Sequence, residues 1–466
     1  MVNWLQEVTN RKDALLKDLF RLLAVPSVRE DDLATEQAPV GPGPLAALEE
    51  FLAMAKEDGF ETQQFGPWAG RLEIGQGPQL LGILGHVDVV PVGSGWETDP
   101  FTPVIKDNRI YARGSSDDKG PTVAAYFAIK LLRDLGIEFK QRVHLIVGTD
   151  EESGWQCMDY YFKHAEMPDF GFSPDAVFPI INGEKGNVSF TVNYESKPAK
   201  GKLQLLSFEG GLRENMVIQD AQAQLKGPLA DIQTAFETFL GAQPEIKGTA
   251  SIEGDQLSLQ VVGKAAHGST PEKGVNAATY LANFLSDYTF DDEGAQTFIN
   301  TLGRYFHLDF FAEKVNASYL HDVMGQVSMN PGIVHFKEGQ GGKVILNFRF
   351  PIGTDPQTMA QGFKTALKDY DLQVAVGDHK EPHYVPADDP LVETLLSVYQ
   401  DQTGLEGHEQ SIGGGTYGRL MPRGVAYGAL FPDSIDTMHQ ANEFLAVDDL
   451  LKATAIYAEA IYRLTR

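Results

Sequence analysis

Five short stretches of this chain carry side chains able to hold a divalent cation. Leu81–Pro91 reads Leu-Gly-Ile-Leu-Gly-His-Val-Asp-Val-Val-Pro, an apolar run that delivers His86 and then Asp88. A metal-binding imidazole usually leans on a hydrogen-bond partner, so Asp88 is expected to orient His86. The other stretches are Ala-Arg-Gly-Ser-Ser-Asp117-Asp118-Lys119-Gly120, Gly-Thr-Asp150-Glu151-Glu152-Ser-Gly154, Phe-Ser-Pro-Asp175 and Asp436-Thr-Met-His439-Gln-Ala-Asn-Glu. Imidazole with hard oxygen donors suits zinc, manganese or cobalt. A thiolate site is excluded, because Cys157 is the only cysteine.

Two cations about 3.5–4 Å apart need a bridging ligand, and a carboxylate bridges where an imidazole does not. Asp117 is the candidate bridge. A tight Asp-Asp-Lys-Gly turn ahead of a helix would aim it into a cleft, with Arg113 and Lys119 available to pair nearby. Glu151-Glu152 offers adjacent carboxylates pointing in different directions, so that one binds metal while its neighbour takes a proton. A divalent ion lowers the pKa of a coordinated water toward about 7, and a nearby carboxylate can pass its proton on to a leaving amine.

The elements that must carry these groups follow from hydrophobic periodicity. Helices are predicted over 4–23, 45–58, 122–135 and around 158–164. Strands are predicted over 80–84 and 143–148, with a short one near 177–181. Such alternation implies a mostly parallel sheet between helices, with sites beyond the carboxyl ends of the strands. From about Gly186 the texture changes to alternating strands (188–194, 202–208, 257–262) with helices near 229–240 and 276–288, an α+β pattern. The α/β pattern resumes after Asp389, with helices 391–403 and 447–464. Because His439 is a candidate ligand for a site begun before residue 180, residues 1–185 and 389–466 are expected to form one catalytic domain. Residues 186–388 would then be an inserted lid, long enough for two subdomains.

The 466 residues carry a formal charge of -26, and the pI near 4.8 argues against nucleic acid, which needs a basic face. No apolar run reaches the ~20 residues that span a bilayer, and no secretory pattern opens the chain. No membrane association is therefore expected. One cysteine fits a reducing compartment, so the cytoplasm is the expected location.

These motifs resemble, over nearly the whole chain, the co-catalytic zinc aminopeptidase-like family that includes aminoacylases, desuccinylases, carnosinases and bacterial dipeptidases. The resemblance rests on Gly-His86-Val-Asp88, Ser-Ser-Asp117-Asp118-Lys-Gly, Glu151-Glu152-Ser-Gly, Phe-Ser-Pro-Asp175, Gly-Gly-Gly-Thr-Tyr417 and His439. It implies two divalent ions, zinc first and manganese or cobalt as alternatives, one held by His86, Asp117 and Asp175 and the other by Asp117, Glu152 and His439. It further implies Glu151 as general base, His267 as the group that polarises the scissile carbonyl, and a cis Asp117–Asp118 bond. Asn215, Arg349 and the run Gly413, Gly414, Gly415 and Thr416 would hold a substrate carboxylate. The expected activity is hydrolysis of unblocked dipeptides by a monomer. The alternatives are an N-acyl amino acid amidohydrolase of the desuccinylase or aminoacylase kind and a noncatalytic metal-dependent binding protein.

Overall fold

The computed structural model describes residues 2–370 and 372–466. Its contacts divide the chain into two compact units, one of Met1–Gly183, Tyr384–Gln410 and Gly415–Arg466, the other of Glu184–His383 and Ser411–Gly414.

The first unit is built on a six-stranded sheet in the spatial order Glu61–Phe65, Ala69–Ile74, Arg142–Gly148, Leu80–His86, Phe170–Ser173, Gly424–Ala426. Leu80–His86 runs parallel to both of its neighbours, and all seven of its residues are buried. An unbroken apolar sequence is what a parallel strand covered on both faces requires. Helix Lys119–Asp134 packs on that strand and against the closing helix Val447–Leu464. Val123, Phe127, Ile456 and Tyr457 belong to the same buried cluster as Leu81 and Ile83.

Close packing at the end of this strand depends on a missing side chain. A Cβ added at Gly85 would lie 2.1 Å from Thr122 Oγ1 and 2.9 Å from Asp118 Oδ2. Those two atoms are themselves hydrogen-bonded at 2.8 Å, and Asp118 Oδ2 accepts the backbone N–H of His86 at 3.2 Å. Glycine thus lets the first turn of the helix close directly onto the strand end that presents His86.

The second unit has an eight-stranded sheet in the order Lys247–Glu253, Gln256–Val262, Asp220–Lys226, Gln204–Gly210, Ser328–Lys337, Gly341–Phe350, Gly186–Tyr194, Gln373–Lys380. Every neighbouring pair is antiparallel. The period of two is plain in Asp220–Lys226, where Ala221, Ala223 and Leu225 are buried and the alternate residues are exposed. Helices Leu229–Gly241, Ala277–Leu285 and Glu293–Asn300 close the apolar face, with Phe236, Leu281 and Phe298 in one cluster with Ala223 and Leu259.

Two elements differ from their sequence-based expectation, and one strand was not expected. The helix expected over 4–23 is two helices, Trp4–Thr9 and Lys12–Leu23. At the break Thr9 Oγ1 donates to Leu5 O at 2.6 Å, a side-chain bond to a backbone carbonyl of the kind that competes with helix continuation. The strand expected near 177–181 is only Ala176–Val177, because Pro179 has no N–H to extend a ladder. The sheet strand in that region is Phe170–Ser173, four buried residues.

Gly85→Ala is expected to destabilise the protein by about 1–3 kcal/mol through overpacking. Urea unfolding checks this, and an unchanged midpoint would show that Thr122 and Asp118 can give way without cost.

Candidate active site

Each candidate ligand in the first unit follows a strand or a tight turn. His86 is the last residue of Leu80–His86, Glu151 and Glu152 follow Arg142–Gly148, and Asp175 follows Phe170–Ser173. The parallel register sets His86 opposite Gly148, which brings the two strand ends to one edge. Asp117 ends the loop that leads into helix Lys119–Asp134, and its bond to Asp118 is cis, as the resemblance implies. His439 lies in a loop before the closing helix, in the left-handed region at φ 63.

The two oxygens of Asp117 face different imidazoles. Oδ1 lies 3.2 Å from His86 Nε2, and Oδ2 lies 2.9 Å from His439 Nε2. Asp175 Oδ2 is 3.6 Å from the same nitrogen of His86, and Glu152 Oε2 is 3.2 Å from the same nitrogen of His439. Donor atoms of His86, Glu151 and Asp175 all fall within 4.8 Å of one another, as do those of His86, Asp117 and Glu152. His86 Nε2 and Glu152 Oε1 are buried without a hydrogen-bond partner among the described residues. Two imidazoles turned toward four carboxylates, with buried donor atoms left unused, fit divalent cations.

The backbone that carries these groups is tied down by other carboxylates. Asp88 Oδ1 and Oδ2 accept the N–H groups of Glu151 and Glu152, both at 3.1 Å. His86 Nδ1 bonds the Asp88 carbonyl oxygen at 3.0 Å, and the Asp88 carboxylate stands further off at 3.4 Å. Asp88 therefore serves the imidazole chiefly through its main chain, while its side chain holds the Glu151–Glu152 turn. Asp150 accepts the N–H groups of Gly154 and Gln156 at 3.1 and 2.9 Å and pairs with Arg29 at 3.0 Å.

Glu443 was not among the sequence candidates. Fully buried, it accepts the N–H groups of Gly114, Ser116 and Asp117 at 3.1, 2.8 and 3.1 Å and pairs with Arg113 at 2.6 Å. Its place four residues beyond His439 was the available signal. Arg113 thus pairs beside the Asp117 turn, with the carboxylate that also caps the loop. Lys119 pairs with main-chain carbonyls instead of a carboxylate: its Nζ donates to Val25 O at 2.7 Å and Leu22 O at 3.3 Å. Burial lowers its pKa to about 7.

Crowding of charge shifts the ligand groups. Burial would lower the His86 pKa, but Asp117, Asp175 and Asp88 outweigh it and raise the value well above normal. Bonds to Asp117 and Glu152 raise His439 to about 10. Asp117, despite burial, is lowered by the two histidines. Glu151 is raised well above the usual carboxylate range, first by burial and then, against the pull of His86, by the charges of Asp175 and Glu152.

Asn215, His267, Arg349, Gly413 and Gly414 belong to the second unit, whereas Gly415 and Thr416 belong to the first. Arg349 Nη1 donates to Gly413 O at 2.9 Å. His267 Nδ1 accepts the Ser269 backbone N–H at 3.2 Å, which leaves the proton of a neutral ring on Nε2. Partial desolvation of the ring, then the charge of Arg349, lowers its pKa and favours that neutral form. An exposed His267 consequently presents an N–H donor.

The chain is 43% identical, over 100% of its own length and 99% of the relative's, to a Beta-Ala-Xaa dipeptidase of Lactobacillus delbrueckii subsp. lactis. It is equally 43% identical to a putative dipeptidase of Staphylococcus haemolyticus, over 99% of each chain. Among solved structures it is similar to an aminoacylhistidine dipeptidase from Vibrio alginolyticus at a TM-score of 0.58 and 14% identity, covering 97% of this chain and 96% of that one. Human carnosine dipeptidase 1 gives a TM-score of 0.54 at 16% identity, over 99% and 98% of the two chains. These structures share its fold, an α/β catalytic domain with an α+β lid. The model of peptidase family M20/M25/M40 matches residues 82–463, and with that span covering all the candidate ligand turns, the chain belongs to this family of metallopeptidases.

Proposed function

We propose that the chain is a metal-dependent dipeptidase that hydrolyses unblocked dipeptides, with Glu151 as the group that moves the proton. The observation that carries the reading is Asp117, whose two oxygens are turned to the two imidazoles of His86 and His439. On this reading His86, Asp117 and Asp175 hold one divalent ion and Asp117, Glu152 and His439 a second, zinc being the first candidate. When bound, such ions supply Lewis acidity, polarising a carbonyl and making water nucleophilic near neutral pH.

The chain's own groups do the rest. Glu151, held at its backbone by Asp88, accepts the proton of the attacking water and returns it to the leaving amine. Its raised pKa suits a carboxyl that must carry that proton between the two steps. His267 donates from Nε2 to the carbonyl oxygen as it gains charge, a donor prepared in advance. Arg349 takes the substrate's terminal carboxylate through its planar fork, with Asn215, Gly413 and Gly414 of the same unit contributing. A buried lone thiol, Cys157, is consistent with a cytoplasmic site of action. We read the enzyme as a monomer, for which sedimentation velocity is the check. No helix among the described residues is long and apolar enough to cross a membrane.

A turnover screen of unblocked dipeptides against N-acyl amino acids, with zinc, manganese and cobalt, tests the reading directly. Preference for the acylated compounds would move the assignment to an amidohydrolase. Glu151→Gln is expected to keep its metal content while kcat falls by at least about a hundredfold; a metal-loaded variant of near-normal rate would remove Glu151 as the base.

Metal binding should release protons. In the metal-free cluster His439 holds a proton up to about pH 10, and His86 is raised in the same direction, yet each must be neutral to coordinate. Affinity should therefore fall as pH falls, and calorimetric titrations at pH 7.5 in buffers of different ionisation enthalpy should show net release of one or more protons. Net uptake would contradict the ligand set.

Blocking the substrate carboxylate as an amide should lower kcat/KM by roughly tenfold to a hundredfold, since a buried guanidinium would be left facing a neutral group. Arg349→Lys should narrow that gap. Equal turnover of free and amidated dipeptides by the unaltered enzyme would refute the anchor.

A further inference from the structure

The polar face of the second unit's sheet holds a row of buried amides that none of the roles above uses. Asn330 lies in Ser328–Lys337 and pairs in register with Asn347 of Gly341–Phe350, while Ser328 pairs with Arg349. Asn330 is completely buried, on a strand whose neighbouring positions are apolar. A buried carboxamide is costly where its polar atoms go unpaired; Asn330 Oδ1 has no partner among the described residues, whereas its two N–H groups do.

Both are satisfied by one loop. Asn330 Nδ2 donates to Glu214 O and to Met216 O, each at 2.9 Å, so it grips the two carbonyls on either side of Asn215. The same loop meets the His267 segment: Gly268 N donates to Asn215 O at 2.7 Å, and Val217 N donates to Ala266 O at 2.9 Å. A Cβ added at Gly268 would lie 2.9 Å from the Asn215 carbonyl carbon and 3.1 Å from Asn330 Nδ2, so the two loops and the carboxamide are packed against one another. On the other side, Ser269 Oγ bonds His267 Nδ1 at 2.6 Å, and a Cβ on Gly413, whose carbonyl accepts from Arg349, would fall 2.4 Å from Ser269 Cβ. Asn215, His267 and Arg349 are thereby joined through a single packed ring, and Asn330 ties its strand to the Asn215 loop by two hydrogen bonds, beside the close backbone approach of Gly332 to Glu214.

We propose that Asn330 is a positioning residue for catalysis: by holding the carbonyls of Glu214 and Met216 it sets the main chain from which Asn215 reaches the substrate, in register with His267. The proposal rests on the reading of Asn215 as a substrate contact. It predicts coupling between the two asparagines that a merely structural amide would lack. A fixed loop lets Asn215 meet the substrate without first being ordered, a gain realised only if the carboxamide's two donors stay in place.

The test is a double-mutant cycle in the full-length, metal-loaded enzyme, with an unblocked dipeptide and its C-terminal amide as substrates. Asn330→Asp keeps the shape but turns an acceptor toward two carbonyl oxygens; Asn330→Ser leaves a single donor and room for water, and is the second variant should the first not fold. We expect either change to lower kcat/KM for the free dipeptide by roughly tenfold to a hundredfold, to alter the amide much less, and to add under about twofold when introduced into Asn215→Ala. Losses that multiply in the double variant, or equal losses on both substrates, make Asn330 structural and overturn the proposal. Failure of both variants to fold does the same. If Asn215→Ala turns over normally, the substrate role of Asn215 fails and the proposal falls with it; if Asn215→Ala is impaired while both Asn330 variants are normal, only the proposal fails.

Discussion

Everything in the first unit is arranged around a concentration of negative charge that the polypeptide alone does not neutralise. Asp117, Glu151, Glu152 and Asp175 meet around two imidazoles within a few ångströms. Like charges 4 Å apart repel by about 4 kcal/mol even at an effective dielectric constant of 20. A chain does not hold such a cluster for stability. It is held because the strands, whose own apolar burial is large, impose it, and because cations repay the cost when they bind.

The carboxylates divide into two kinds with opposite tasks. Asp117, Glu152, Asp175 and Glu151 point toward the shared space, whereas Asp88, Asp118, Asp150 and Glu443 spend their oxygens on backbone N–H groups. The second kind fixes the first. Asp88 is the clearest instance, since one residue bonds the His86 ring through its carbonyl and the Glu151–Glu152 turn through its side chain. A set of side chains held in place in advance does not have to be reorganised during the reaction, which is where such electrostatic arrangements gain their effect.

What could be read from the sequence was the part governed by short-range pattern. The apolar run before His86, the run before Glu151 and the helix 447–464 are legible because burial imposes one period over enough residues, and the last is observed at Val447–Leu464. Phe170–Ser173 was not legible: four residues with Gly171 among them give no alternation to count. Edge strand Glu61–Phe65 was hidden for the opposite reason, having mostly polar, exposed residues. Among site residues, Arg113 and Lys119 stand out as charges near Asp117, but their partners are not legible, because a sequence shows proximity along the chain and not which carboxylate or carbonyls a buried cation will find. Asn330 had no signal at all. A single asparagine in a strand reads as polar and outward-facing, and only the approach of a loop more than a hundred residues away reveals why it is inside.

The position of Glu443 has a consequence for the order in which the enzyme comes into being. Both it and His439 reach the site only with the final stretch of chain, together with strand Gly424–Ala426 beside Phe170–Ser173 and the closing helix against Lys119–Asp134. While the ribosome is still working through the more than three hundred residues between Asp117 and His439, the Gly114–Asp117 loop lacks the carboxylate that caps its amides, and Asp117 has one imidazole instead of two. The chain therefore brings the full set of carboxylates and imidazoles together only once residues 439–443 have been made and folded back onto the Gly114–Asp117 loop.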